Sequence, residues 1–336
     1  MKRVFALLCS LVFFAGIPCG CAVQTQSTAK EPIKKAGSPI VVGFSQVGAE
    51  SEWRVANSES MKSALSEQNG YELIFDDARN EQENQIRAIR TFIQQDVDYI
   101  VFSPRVETGW NSILQEARDA EIPVLVIDRD IEVVDRSLYT AYIGSDFRKE
   151  GDRAVAWLEN LLRKQGKSDD EIRIVHIQGT IGSSAQIGRT AALEEAITEH
   201  TNWQLIKQEQ GDFTRAKAYE VMGSILKETQ DIDVVYCEND GEALGAIDAM
   251  EEAGLKCNAD DGVIVISFDA TRLGLTYCLQ GRIALNVECN PLQGPYVAEM
   301  IQKMERGETV EREKYIDETL FDCYTITQKM IDERGY

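Results

Sequence analysis

Short apolar, β-branched runs alternate along this chain with longer amphipathic stretches. Residues 40–45 predict a strand and 52–69 a helix. Residues 71–75 predict the next strand, and 81–95 a helix with Ile86, Ile89, Phe92 and Ile93 on one face. Strands follow at 99–102 and, after the breaker Pro123, at 124–127. The pattern then starts again, with strands at 172–177, 204–208, 234–236 and 263–266 separated by helical segments. Near-continuous apolar strands between helices are the mark of a parallel sheet covered on both faces. Two doubly wound halves account for the restart better than one very wide sheet. Residues 138–144 lie between the halves and read as a segment passing from one to the other.

The N-terminus reads differently. Lys2 and Arg3 precede an apolar run over 4–17, too short to span a bilayer, with the basic start of a secretory signal. The run ends at Pro18-Cys19-Gly20-Cys21. A small residue just before a cysteine resembles the lipobox of bacterial lipoproteins, which implies lipidation of Cys21. Pro18 stands where that motif usually has a Leu-like residue, and an ordinary signal peptide cut nearby is the alternative. Residues 22–38 have almost no apolar content and predict a flexible tether.

The formal net charge of -21 excludes a nucleic-acid partner, whose phosphates need a basic face. Beyond Cys21 the cysteines are Cys237, Cys257, Cys278, Cys289 and Cys323, with no CxxC and no Cys/His cluster. No metal site or dense disulfide framework is expected. Buried free thiols are expected, with room for one disulfide.

In open parallel sheets ligands bind beyond the carboxyl ends of the strands. Those positions carry Glu50, Ser51, Glu52, Trp53 and Arg54 after the first strand, then Asp128-Arg129, Gln178-Gly179-Thr180, Glu238-Asn239-Asp240 and Asp269. Carboxylates and amides pair with hydroxyls, an Arg fork adds fixed donors, and Trp offers a flat apolar face. The set suits a sugar. No phosphate cradle is present, because the glycines at 43 and 48 lack the Lys-Ser/Thr of a P-loop. Simple structural roles stay open beside these. Glu50 and Arg54 suit a helix-start pair, Trp53 suits the core, and Asp128-Arg129 suits a solvated turn. Asp269 stands where it can cap a helix starting near Thr271, and Thr180 and Asn239 have similar capping roles. Trp110, one turn into a helix, is expected to pack on a sheet, and His176 and His200 to be structural.

Several stretches resemble one family: Gly43-Phe44-Ser45-Gln46-Val47-Gly48, Glu50-Ser51, Trp53-Arg54, Gln82-Glu83-Asn84-Gln85, Thr108-Gly109-Trp110, Glu121-Ile122-Pro123 with Asp128-Arg129, Gln178-Gly179-Thr180, and Gly211-Asp212-Phe213-Thr214-Arg215. On these the mature chain is similar to the periplasmic sugar-binding proteins of ABC transporters, in the ribose-binding-like group, and most of all to its galactofuranose-binding type. The resemblance implies an α/β protein of two doubly wound, Rossmann-like lobes joined by a three-stranded hinge, the type I periplasmic binding protein architecture. It implies a signal peptide at 1–20, an anchor and tether at 21–38, one lobe from 39–144 plus 289–317, and another from 145–288 plus 318–336. Crossings are expected near Gly144, Glu288 and Asp317. It implies a galactofuranose-like monosaccharide held by Glu50, Ser51, Glu52, Trp53, Arg54, Asp128, Arg129, Thr180, Asn239 and Asp269, with Arg189, Phe213 and Glu288 contributing as in the wider group. Glu52 replaces the small residue expected there.

The expected protein is an exported monomer without cofactor. It sits in the periplasm or on the outer face of the cytoplasmic membrane and delivers sugar to an ABC permease. A receptor feeding sugar status to a membrane sensor kinase is the alternative. An exported glycoside hydrolase fits less well, because Glu50, Glu52, Asp128 and Asp269 stand among arginines expected to lower their pKa, whereas a general acid needs the opposite shift. A sugar-responsive repressor would need a basic DNA-binding headpiece.

Overall fold

A computed structural model describes residues 37–336. The signal segment, Cys21 and the tether up to residue 36 lie outside the described residues. Two six-stranded sheets form the body.

The first sheet is built from β1 (Ile40–Gln46), β2 (Tyr71–Asp77), β3 (Tyr99–Phe102), β4 (Val124–Asp128) and β5 (Ala141–Gly144). Its helices are α1 (Glu52–Ala64), α2 (Gln82–Gln94) and α3 (Asn111–Asp119). The chain then enters the second sheet through α4 (Phe147–Lys164), β6 (Ile172–Gln178), α5 (Ser184–Glu199), β7 (Trp203–Gln210) and α6 (Arg215–Glu228). That sheet continues with β8 (Val234–Cys237), α7 (Asp240–Glu252), β9 (Ile264–Asp269), α8 (Arg272–Leu279) and β10 (Leu285–Glu288). The remaining elements are α9 (Gly294–Glu305), β11 (Glu313–Tyr315), β12 (Leu320–Asp322) and α10 (Gln328–Asp332).

The strand orders are β2-β1-β3-β4-β5-β11 and β7-β6-β8-β9-β10-β12, so each lobe repeats the other's topology. All pairings are parallel except β10 with β12. The order reverses beside β1 and β6, which opens a crevice at their carboxyl ends. Burial explains the apolar strands. β3, β4, β8 and β9 are buried along their whole length, with helices on both faces. Val42, Phe44, Leu125 and Ile127 pack on one face of the first sheet, and Ile100, Phe102 and Trp110 on the other.

The chain passes between the sheets three times. It leaves the first sheet after Gly144, returns between Glu288 and α9, and leaves again between β11 and β12. α9 lays Val297, Met300 and Ile301 into the first lobe's core, and Ile331 of α10 joins the second. The lobes touch directly. Glu107 N donates to Gly182 O at 2.9 Å, and Asp130 N to Ser184 Oγ at 2.8 Å.

Several expectations change. Residues 141–144 are not a passing segment but β5, which pairs with β4 before the crossing begins. The helix expected over 52–69 ends at Ala64, because residues 67–69 tighten into a 3-10 turn closed by Gly70 at φ 86°. β10, β11 and β12 were not predicted, because their short runs are broken by polar residues.

Candidate functional site

The crevice between the lobes narrows to a small cavity of about 30 Å³. Glu50, Ser51, Trp53, Arg54, Asp128 and Arg129 line it from the first lobe. Arg189, Phe213, Asn239 and Asp269 line it from the second, all of them expected from the sequence.

Local folding explains how these side chains get there. β1 ends at Gln46, and Ser51 caps α1 by accepting from Arg54 N at 3.1 Å. The tight cap turns Trp53 and Arg54 inward in the first helical turn. Arg54 donates to Glu50 at 3.1 Å, Gln46 at 3.3 Å, Ser103 at 3.0 Å and Asp128 at 2.6 Å. It therefore gathers the ends of β1, β3 and β4 around one guanidinium. Burial opposes its charge, but Asp128 and Glu50 outweigh burial and raise its pKa. Asp128 and Asp269 occupy equivalent strand ends in the two lobes, and both sit at positive φ, 63° and 103°. Strained backbone of this kind persists where surrounding contacts hold it, commonly at ligand sites.

Arg129 is held far more loosely. It donates to Arg105 O at 3.0 Å and stays 3.6 Å from Glu50 and 3.9 Å from Asp128. Its guanidinium lies over the Phe213 ring of the other lobe at 5.1 Å. Burial and the neighbouring Arg54 push its pKa down to about 10. Most of its donors are left for whatever enters the cavity. Arg189 enters from α5, held by Glu150 at 2.7 Å, with Phe147 at 5.3 Å and Phe268 at 4.7 Å from its guanidinium.

Trp53, Phe147, Ala185, Phe213 and Cys289 form one apolar cluster that spans both lobes along the cavity. The Trp53 indole donates to Cys289 O at 2.6 Å, which fixes its plane. A Cβ at Gly179 would collide with the Phe213 ring, so glycine there is a packing requirement for the cavity wall.

Three expected residues sit outside the cavity. Glu52 is exposed and faces a wider crevice beside it. Thr180 is buried, with its carbonyl accepting from Ser183 N. Glu288 accepts from Thr319 N at 2.8 Å, Arg334 at 2.5 Å and Tyr336 at 3.0 Å, which ties the C-terminus to a crossing segment. The sequence reading missed Phe147, Ala185 and Cys289. Phe147 and Cys289 lie just past the crossings at Gly144 and Glu288, and that position was their available signal.

The capping roles also resolve. Asn239 caps α7 and donates to Phe213 O, so it positions the aromatic wall as well as lining the cavity. Thr271, not Asp269, caps α8. The expectation that arginines depress Asp269 fails. Burial, then the nearby Asp240, raises its pKa well above the usual carboxylate range. Trp110 packs on Phe102, and His176 lies buried against Glu238. Among the described residues all five cysteines are free, and no helix is long and apolar enough to cross a membrane.

Buried cations, carboxylates and aromatic faces converging between two hinged α/β lobes define a receptor for a small polyhydroxylated solute. Residues 42–309 match the periplasmic binding protein domain family, and the chain belongs to it, a family of exported sugar-binding proteins and not of enzymes. The chain is 39% identical over 276 residues to the galactofuranose-binding protein YtfQ of Escherichia coli K12, covering 81% of this chain and 84% of that one. It is similar to a Mycobacterium smegmatis protein in complex with β-D-fucofuranose, with a TM-score of 0.81, 41% identity and coverage of 85% and 92%. It is also similar to the arabinose transporter's periplasmic binding protein from Shewanella sp. ANA-3, bound to α- and β-L-arabinofuranose. That match has a TM-score of 0.81, 38% identity and coverage of 88% and 95%.

Proposed function

We propose that this protein is the sugar-capturing subunit of an ABC importer and takes up a monosaccharide in furanose form, galactofuranose-like. The observation that carries the reading is the cavity itself, with under-partnered Arg129 and acidic Asp128 and Asp269 facing an aromatic cluster. Three relatives that bind furanoses support the ring form. Residues 39–144 plus 289–317 act as one body and 145–288 plus 318–336 as the other. They close by hinge rotation about the three crossings, a motion for which periplasmic binding proteins are the familiar example. The closed form presents both lobes to a membrane permease.

Calorimetry with galactose, arabinose, fucose and ribose tests this, with the bound ring form of 13C-labelled sugar read by NMR. Saturable one-to-one binding of a furanose form is expected. A bound pyranose would overturn the ring assignment, and no binding to any monosaccharide would overturn the reading.

The protein is further held to the membrane by lipid on Cys21, a reading supported by Gly20 before it and the polar tether after it. Cys21→Ala is expected to move the protein from the membrane fraction to the soluble one. Retention of the processed mutant in the membrane would contradict the anchor.

A further inference from the structure

The three crossing segments meet at a single buried group of side chains. Ser145 follows β5, Cys289 and Asn290 follow β10, and Glu318 lies between β11 and β12. Ser145 Oγ donates to Glu318 Oε1, and Asn290 N donates to the same oxygen at 2.9 Å. Cys289 Sγ lies 3.3 Å from Ser145 Oγ. Glu150, in the first turn of α4, completes the group, with one ligating atom of each of Glu150, Cys289 and Glu318 within 4.8 Å of the others.

The hydrogen-bond inventory leaves a place for a proton here. Glu150 gives Oε2 to Arg189, whose Nε and terminal nitrogen both lie at 2.7 Å. No amide, hydroxyl or guanidinium reaches Glu150 Oε1, although Glu150 is buried. A Glu318 carboxyl oxygen and Cys289 Sγ both lie within 4.8 Å of a Glu150 carboxyl oxygen. Two ionised carboxylates in contact would leave one buried charge uncompensated, and a single shared proton removes that cost. The proton belongs on Glu318. Burial raises both carboxyls, but Glu150 faces a guanidinium, whereas the Glu318 carboxyl faces only neutral donors in Ser145 and Asn290. Burial and the Glu150 charge push the Glu318 carboxyl up to about 9.

We propose that Glu318 is a positioning residue for ligand binding: held as a neutral acid, it closes a hydrogen-bond chain from the three crossing segments through Glu150 to Arg189 at the cavity wall. The proposal rests on the sugar-binding reading above. Its members come from segments that rotate with the hinge, so one setting of the hinge keeps the chain intact. Capture of the ligand and retention of the proton are then linked, each favouring the other. The remaining groups facing Glu318 are the Cys289 thiol, raised by burial, and Arg153 of α4, which donates to the Glu318 carbonyl at 3.0 Å. Asp269 of β9 acts through Arg189.

The sign follows from the raised value. A closed form that keeps its proton up to about pH 9, against an opened form with an ordinary Glu near 4.3, takes up a proton on closing. Affinity then falls as pH rises through that window, by at most about tenfold per unit, and levels off above it.

Three proteins test this: wild type, Glu318→Gln and Glu318→Ala, all treated with EDTA. Glutamine keeps a donor and an acceptor without titrating. Calorimetry in phosphate and in Tris at neutral pH is expected to show proton uptake with sugar for wild type and none for Glu318→Gln. Glu318→Gln is expected to stay within a few-fold of wild-type affinity at pH 7 and to hold it up to pH 9, while Glu318→Ala binds at least about tenfold more weakly. Melting without sugar supplies a separate readout. In the sugar-free, opened protein Glu318 is an ordinary carboxyl, so wild type and Glu318→Gln are expected to share one pH dependence of melting, and a difference that appears only with sugar bound is the expected signature.

Glu318→Gln as weak as Glu318→Ala, identical pH profiles of binding, or binding restored to EDTA-treated wild type only by Zn2+ would each overturn the proposal. Wild type that binds no monosaccharide at any pH would sink the parent reading, and with it the cavity end of the chain.

Discussion

Arg54→Ala is expected to destabilise the protein by about 3–5 kcal/mol, because it strands the Glu50 and Asp128 carboxylates in a buried position. The wild-type guanidinium makes four side-chain hydrogen bonds that gather three strand ends. Both carboxylates are nearly inaccessible, with side chains 9% and 4% exposed, so water cannot replace the lost partner. At about 2–4 °C per kcal/mol for a chain of a few hundred residues, the melting temperature should fall by roughly 6–20 °C. Sugar affinity should fall as well, since Asp128 loses its anchor. Arg54→Lys keeps the charge but not the fork, so it should recover only part of the loss. Thermal and guanidinium unfolding of the sugar-free proteins decides the matter. A melting temperature within a degree or two of wild type would show that the cluster does not stabilise the lobe.

The two-lobed architecture is legible in the sequence because its central strands are unbroken apolar runs between amphipathic helices. Val42, Phe44, Val124 and Val126 are buried as that pattern requires. Most of the cavity wall is legible for a related reason. Strand ends in such sheets face the crevice, so Asp128 and Asp269 had to lie near it. Apart from the segment between the halves that ends at Gly144, the crossings are not legible in the hydrophobic pattern, and only the family resemblance pointed to Glu288 and Asp317. β10, β11 and β12 are short and interrupted by polar residues such as Asn286, Glu313 and Asp322, so no apolar run marks them. Glu318 looks like any surface acid in a polar stretch, and its burial against Glu150 is a product of tertiary packing. The raised pKa of Asp269 was hidden likewise. Residue spacing places arginines nearby, but desolvation outweighs them once the lobes meet. Thr180 and Glu288 occupy the expected strand ends yet lie outside the cavity, which shows that strand-end position alone does not aim a side chain.

Arg129→Ala is expected to do the reverse of Arg54→Ala, removing ligand affinity while leaving stability intact. Both arginines are buried in the same cavity wall, but their surroundings differ. Arg54 is saturated by carboxylates at hydrogen-bond distance, whereas Arg129 has its nearest carboxylate oxygen at 3.6 Å and two other cations, Arg54 and Arg189, acting against it. Its donors are therefore free to fork onto sugar oxygens, and a charge-assisted hydrogen bond contributes about 1.5–3 kcal/mol. Its loss should weaken binding by roughly ten- to more than a hundredfold. Like charges buried together repel, so the sugar-free protein should melt at the wild-type temperature or slightly above it. The only direct hydrogen bond lost is the one to Arg105 O. Paired titration calorimetry and thermal melts of both single mutants separate the two roles. Equal sugar affinity in Arg129→Ala and wild type would move the ligand elsewhere. A large fall in melting temperature with affinity preserved would make Arg129 a structural cation and leave the cavity without its principal donor.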